Sequence, residues 1–175
     1  MNLFATNCER KVLILDPGCM HMKYNFSKSS GKSNFFGKNK IQELDFILVP
    51  FCNEGHWCLF KIDMLELKIT SYDSMLVPRV YELKQLKEIM EMHMKNIGFP
   101  KEFQIEEKKD VEIQRNNFDC GMYVLGFSKQ LLGLPTEFSQ GYIDQERKNL
   151  QVQINENMKY NFTYEEDDPI DIEEN

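Results

Sequence analysis

The chain has 175 residues, enough for one domain with a single ordinary core, and its apolar (42%) and charged (28%) fractions are those of a soluble globular protein. No apolar run approaches the length needed to cross a bilayer, and Met1 to Asn7 lacks the basic start and apolar stretch of a signal peptide. The net charge of −7 is uneven: seven of the 28 acids (Glu165, Glu166, Asp167, Asp168, Asp171, Glu173, Glu174) crowd the C-terminus, and the remaining 21 face 21 bases, so the folded part gives no sign of nucleic-acid binding.

Lys11 to Asp16 is a short β-prone run stopped by Pro17-Gly18. Residues 25–40, rich in Ser and Gly, read as a mobile surface loop. Leu44 to Phe51 reads as a buried strand, because Phe46, Ile47, Leu48 and Val49 are continuously apolar. Cys52 to Gly55 reads as a turn, Trp57 to Ile62 as the next strand, and Asp63 to Glu66 as a hairpin connection. Leu67 to Tyr72 alternates and is expected to be a half-buried strand. After Pro78, the spacing of Leu83, Leu86, Met90, His93 and Ile97 predicts a helix over residues 80–97, stopped by Gly98-Phe99-Pro100. Residues 103–113 suit one or two short strands, with Phe103 and Ile105 in the first and Val111 and Ile113 in the second. Asp119 can cap a helix running through Tyr123, Val124, Phe127 and Leu131 to Gly133. A last helix, about Ser139 to Lys159, has Ile143, Leu150, Ile154 and Met158 as its apolar stripe. The class is α+β: strands cluster in the middle, with no regular βαβ alternation. Residues 1–160 form the expected single domain, and 161–175 an acidic, disordered tail.

Four chemistry-bearing residues stand at element boundaries. Cys120 follows Asp119 in the first turn of a predicted helix, where unpaired amides and the macrodipole favour a thiolate. Gly121 lets a substrate backbone approach closely. His56 follows Gly55 at the start of a strand and is the candidate base. His21 lies in an unstructured stretch and His93 on an apolar helix face, where a core histidine is expected. Asp73 ends the strand that should pair with that of His56, so a hairpin would set the two side chains together at one sheet end. There a carboxylate can fix the tautomer of the imidazole. Gln114 can donate to an oxyanion together with the Cys120 N–H. Trp57, the only tryptophan, can form a flat lid over a narrow substrate segment. Each has a plainer reading: a buried inert cysteine, a turn aspartate, a surface glutamine, a core tryptophan.

The five cysteines (Cys8, Cys19, Cys52, Cys58, Cys120) are odd in number and unpatterned, which suits a reducing compartment. Zinc held by Cys52, His56 and Cys58 is disfavoured, because there is no C-x-x-C pair and Cys58 should lie inside a strand. No metal or other cofactor is called for.

The ordered set Gly55-His56-Trp57, Tyr72-Asp73-Ser74 and Gln114 through Asp119-Cys120-Gly121 closely resembles the ubiquitin-like-protein protease family, the SUMO- and sentrin-specific cysteine proteases, over roughly residues 40–155. The resemblance implies a papain-like fold, with a central mixed or antiparallel sheet flanked by helices and with His and Asp preceding Cys in the chain. It implies a triad of His56, Asp73 and Cys120, with Gln114 in the oxyanion hole. It also implies a tunnel in which Trp57, with Asp119 and Gly121 near it, takes the Gly-Gly tail of SUMO or another ubiquitin-like modifier. The expected partners are that modifier and its conjugates, with no nucleic acid and no membrane; the protein is expected to be monomeric and to act in the nucleus or cytoplasm. Members of the family carry a Trp-Leu-x-Asp segment and a helix before the first strand. Neither is found in Met1 to Lys40, so the N-terminal part reads as incomplete, which bears on stability and modifier affinity more than on the chemistry. The alternatives are a pseudoprotease that binds a ubiquitin-like tail without cutting it, and a viral-type papain-like protease cutting a Gly-containing polypeptide.

Overall fold

The structure is a computed structural model that describes residues 10–18 and 40–161, with side chains described as far as residue 156. The expected loop at 25–40 up to its last residue, His21, Cys8, Cys19, the start of the chain and the acidic tail beyond Asn161, which ends α3, lie outside the described residues. The chain divides into two compact units, residues 1–138 and 139–175.

The first unit is built on a five-stranded sheet in the order β1-β2-β3-β4-β5: β1 (Val12–Ile14), β2 (Phe46–Asn53), β3 (His56–Asp63), β4 (Lys68–Tyr72) and β5 (Gln104–Glu107). The centre is antiparallel and both edges are parallel, so the sheet is mixed, within an α+β fold. Among the described residues two α-helices accompany it, α1 (Val80–Asn96) and α2 (Cys120–Leu131).

The apolar run of β2 works as a strand buried on both faces. Ile47, Val49 and Phe51 of β2 join Cys58, Phe60 and Ile62 of β3, Ile69 of β4, and Leu83, Leu86 and Met90 of α1 in one core. The alternate residues Leu48 and Leu59 are equally buried. The helix α2 packs across β3, and Tyr72, Tyr123, Phe127 and Phe138 stack at ring-centroid distances of 5.2–6.1 Å. Pro50 sits in mid-strand without breaking the ladder. Leu15 N–H donates to Leu48 O at 2.9 Å, so by alternation Pro50 also points toward the β1 side, beyond the point where β1 has ended.

Three sequence expectations are corrected. Cys52 and Asn53 belong to β2, and the turn is only Glu54-Gly55, both with positive φ (52° and 79°). That is the mirror-image turn whose twist suits a tight hairpin. The strand β4 is not half-buried: Thr70 and Ser71 are buried along with Ile69, because the sheet is covered on both sides at its centre. The second strand expected around Val111 and Ile113 does not form. Lys108 N–H donates to Ser71 O at 3.0 Å, and past that rung β4 has ended, so the chain has nothing to pair with.

In the second unit, α3 (Gln140–Asn161) begins beside Ser139, whose Oγ accepts from Tyr142 N–H at 3.4 Å. The apolar stripe expected along it holds only at the start: Ile143 is buried, Leu150 is half-buried and Ile154 is exposed, while the Met158 side chain lies outside those described.

Gly126 lies within α2, and a methyl group there would come within 2.5 Å of the Phe138 ring. That ring is held between Tyr123 and Phe127. Gly126→Ala should therefore destabilise the protein by about 1–3 kcal/mol through overpacking, despite the better helix propensity of alanine; a midpoint in urea unchanged from the parent would contradict this.

Candidate active site

The tight turn at Glu54-Gly55 starts β3 on His56, with Asn53 directly opposite. The β3–β4 pairing runs from Asp63↔Lys68 to Leu59↔Tyr72, and Asp73 follows as the first residue beyond it. His56 opens β3 and Asp73 stands just past β4, so both lie at the same end of the sheet. His56 Nε2 and Asp73 Oδ1 meet at 2.8 Å, with both side chains largely buried. The expectation that the hairpin sets these two groups side by side therefore describes their geometry. With Nε2–H donating to the carboxylate, Nδ1 of the neutral ring is left as the acceptor.

Sequence reasoning missed what surrounds the Asp73 carboxylate. Oδ1 also accepts from Met75 N–H at 2.9 Å, and Oδ2 accepts from Arg79 Nε at 3.0 Å. Arg79 is 5% exposed. Its Nη1 lies 3.5 Å from Glu82 Oε1, and its backbone N–H donates to Glu107 Oε1 at 2.6 Å. That hydrogen bond, helped by Lys109, holds the Glu107 carboxyl below the ordinary carboxylate range, outweighing the opposing effect of burial. The available signal was a basic residue immediately after Pro78 at the head of a helix, where cations are disfavoured.

Cys120 is the first residue of α2 and is buried. At such a position the backbone N–H has no partner within the helix. Gly121 faces Trp57: a methyl group on it would lie 3.8 Å from Trp57 Cδ1. The indole that follows His56 thus lies against the residue that follows Cys120, which ties the start of β3 to the start of α2.

The segment before Cys120 is organised by a second residue that sequence reasoning passed over. Asn116 Oδ1 accepts from Phe118 N–H (3.1 Å) and Asp119 N–H (3.0 Å), and its Nδ2 donates to Asp119 Oδ2 at 2.6 Å. Asp119 occupies the cap position, but its side chain makes no capping bond. This corrects the expected cap: the carboxylate is turned to Asn116 and is 1% exposed. An asparagine three residues before an acid at a helix start is the local pattern that carried this information.

Gln114 is buried and tied to the Asp73 side of the site. Its backbone N–H donates to Ser74 O at 3.0 Å, its Oε1 accepts from Ser74 Oγ at 2.5 Å, and its Nε2 donates to Asn116 O at 2.5 Å. One of the two Nε2 hydrogens is used in this way.

Of the other candidates, Cys58 lies close to Asp73 and Arg79 but belongs to the core. Cys58 is fully buried in the core, and burial pushes its thiol up to about 12, so it is neither a nucleophile nor a ready metal ligand. His93 is half-buried on α1, and desolvation lowers its pKa. Among the described residues no three His, Cys, Asp or Glu side chains converge as a metal would need, and no helix is long and apolar enough to cross a membrane.

The Ulp1 protease family, in its C-terminal catalytic domain, matches residues 19–163, most of this chain, and the chain belongs to that family. It is 27% identical over 125 residues, 69% of this chain, to sentrin-specific protease 5 of Mus musculus, and 31% identical over 96 residues, 53% of this chain, to a sentrin-specific protease of Caenorhabditis elegans. It spans only 17% and 14% of the length of those two proteins. The fold superposes on the SUMO protease Ulp1 with its catalytic cysteine oxidised to a sulfenic acid (TM-score 0.65, 20% identity, covering 85% of this chain and 70% of that one). It also superposes on a de-sumoylating protease (TM-score 0.62, 16% identity, covering 86% and 74%). At those identities the likeness is one of fold.

Two outcomes follow from this geometry. In the folded protein at pH 8, Cys58 should resist iodoacetamide and become labelled only on denaturation, as read by peptide mass spectrometry; rapid native labelling would contradict its burial. Asn116→Ala should leave the buried Asp119 carboxylate short of a donor and cost about 1–3 kcal/mol, measured by chemical denaturation.

Proposed function

We propose that this chain is a cysteine protease and isopeptidase domain that cleaves after the C-terminal Gly-Gly of SUMO or a related ubiquitin-like modifier, in precursors and in conjugates. The observation that carries the reading is the 2.8 Å contact between His56 Nε2 and Asp73 Oδ1, made beside the strand start that adjoins the Cys120 helix. Family membership supports the same chemistry. The span of that match, 19–163, supports one catalytic domain over most of residues 1–160.

In the proposed mechanism His56 Nδ1 takes the proton of the Cys120 thiol, while Asp73 holds the opposite ring nitrogen. The thiolate attacks the carbonyl of the terminal glycine. The resulting oxyanion is met by the Cys120 backbone N–H and the second Nε2 hydrogen of Gln114. The tetrahedral intermediate collapses as the imidazolium protonates the departing amine, leaving a thioester on Cys120. Water, deprotonated by the same imidazole, then releases the modifier. Trp57 lying against Gly121 supports a slot too narrow for side chains, hence the choice of glycine, with Asp119 just before Cys120 as a further candidate contact.

The names of the relatives support SUMO as the modifier: sentrin-specific proteases, and a Ulp1 protease domain solved in complex with Smt3, the yeast orthologue of SUMO. We place the protein in the nucleus or cytoplasm, acting as a monomer on the modifier and its conjugates, without nucleic acid or membrane.

The test is a panel of SUMO, NEDD8 and ubiquitin, each carrying a C-terminal electrophile. SUMO should form a covalent adduct at Cys120, and Cys120→Ala should abolish both the adduct and the cleavage of a SUMO precursor while keeping the fold. Cleavage that persists in Cys120→Ala, or binding without any adduct, would refute the assignment.

A further inference from the structure

We propose that Arg79 is a positioning residue for this reaction: its guanidinium locks the Asp73 carboxylate in the one rotation that offers Oδ1 to His56. The inference rests on the functional reading above and concerns a residue which that reading does not use.

The two Asp73 oxygens are claimed from different sides, Oδ1 by His56 and the Met75 N–H, and Oδ2 by Arg79 Nε. Rotating the carboxylate breaks all three contacts together. The guanidinium is itself held by Glu82 of α1, 3.5 Å from Nη1, and the Arg79 backbone N–H is held by Glu107 of β5. The end of β4, the head of α1 and β5 are therefore joined at one residue, its side chain on Asp73 and Glu82 and its backbone on Glu107.

Local physics argues against Arg79 serving the helix. It stands at the cap position of α1 and makes no side-chain capping bond. Ser, Thr, Asp or Asn is favoured there, and a cation opposes the macrodipole. A buried cation in that place sets local preference against tertiary demand, which is where functional constraint is expected. The planar guanidinium can present Nε to one carboxylate and Nη1 to another at fixed angles, which a lysine ammonium cannot do.

The plainer role is charge balance among Asp73, Glu82 and Glu107, with Lys109 on the far side of Glu107 at 3.3 Å and Cys58 adjacent. A double-mutant cycle separates the two roles. SUMO carrying a C-terminal fluorogenic amide is the substrate, and single-turnover rates with enzyme in excess are read for the parent, Arg79→Met, Asp73→Asn and the double variant. A thermal melt of each shows that it is folded. Arg79→Met should lower the parent rate constant at saturation by about 30-fold with little change in KM, yet change the Asp73→Asn rate by less than about threefold, because the group it acts through is gone. Arg79→Lys should restore only part of the loss. If the methionine variant does not fold, the same cycle is run with Arg79→Lys, with the same non-additivity expected. An equal loss in both backgrounds, a loss carried by KM, or a parent-like rate in a folded variant overturns the proposal. No turnover by the parent overturns the functional reading and this inference together, whereas turnover that disappears in Cys120→Ala but ignores Arg79 overturns this inference alone.

Discussion

The site depends on one carboxylate serving an imidazole, a guanidinium and a backbone amide at once. Asp73 is 4% exposed. A buried carboxylate must be fully hydrogen-bonded to be tolerated in that position. Asp73 meets the condition with groups from three sources: His56 at the start of β3, Met75 in its own turn and Arg79 at the head of α1. Strand, turn and helix are registered to one another by the geometry of a single side chain.

Burying Arg79 raises the same problem with opposite sign. Glu82 and Asp73 supply counter-charges, and Glu107 takes the backbone N–H. A pair of this kind adds little net stability over a well-packed apolar substitute, and its usual benefit is a defined arrangement. Cys58 lies in the same neighbourhood but behaves as core, since full burial keeps it protonated. Cys58 stands inside a strand, whereas Cys120 opens a helix.

On the other side, the approach to Cys120 is shaped by backbone turns. Asn116 gathers the amides of Phe118 and Asp119 and the carboxylate of Asp119, while its carbonyl receives Gln114. Gln114 in turn holds Ser74, the neighbour of Asp73. A continuous run of hydrogen bonds therefore links the residues just after β4 to the loop that leads into α2. Satisfied chains of this kind are rigid, because each member has few alternatives that would not strand a buried polar group.

Sequence periodicity and punctuation were enough for the helix positions, the central strands and the apolar run of β2, since these follow from local rules: period, caps and breakers. Spacing likewise singled out His56, Asp73, Cys120 and Gln114 as residues at element boundaries. What it could not supply was the partnership of residues from separate elements. Arg79 reads as an ordinary surface cation until folding brings the head of α1 against the end of β4. Asp119 reads as a cap until Asn116 claims it, and Val111-Glu112-Ile113 reads as a strand until β4 runs out of residues to pair with it. Local sequence determines which elements can form, because torsion preference and burial pattern act over a few residues. Only the tertiary structure decides which buried polar atoms meet, because a hydrogen bond needs its partners within about 3 Å, a condition that sequence neighbours alone do not control.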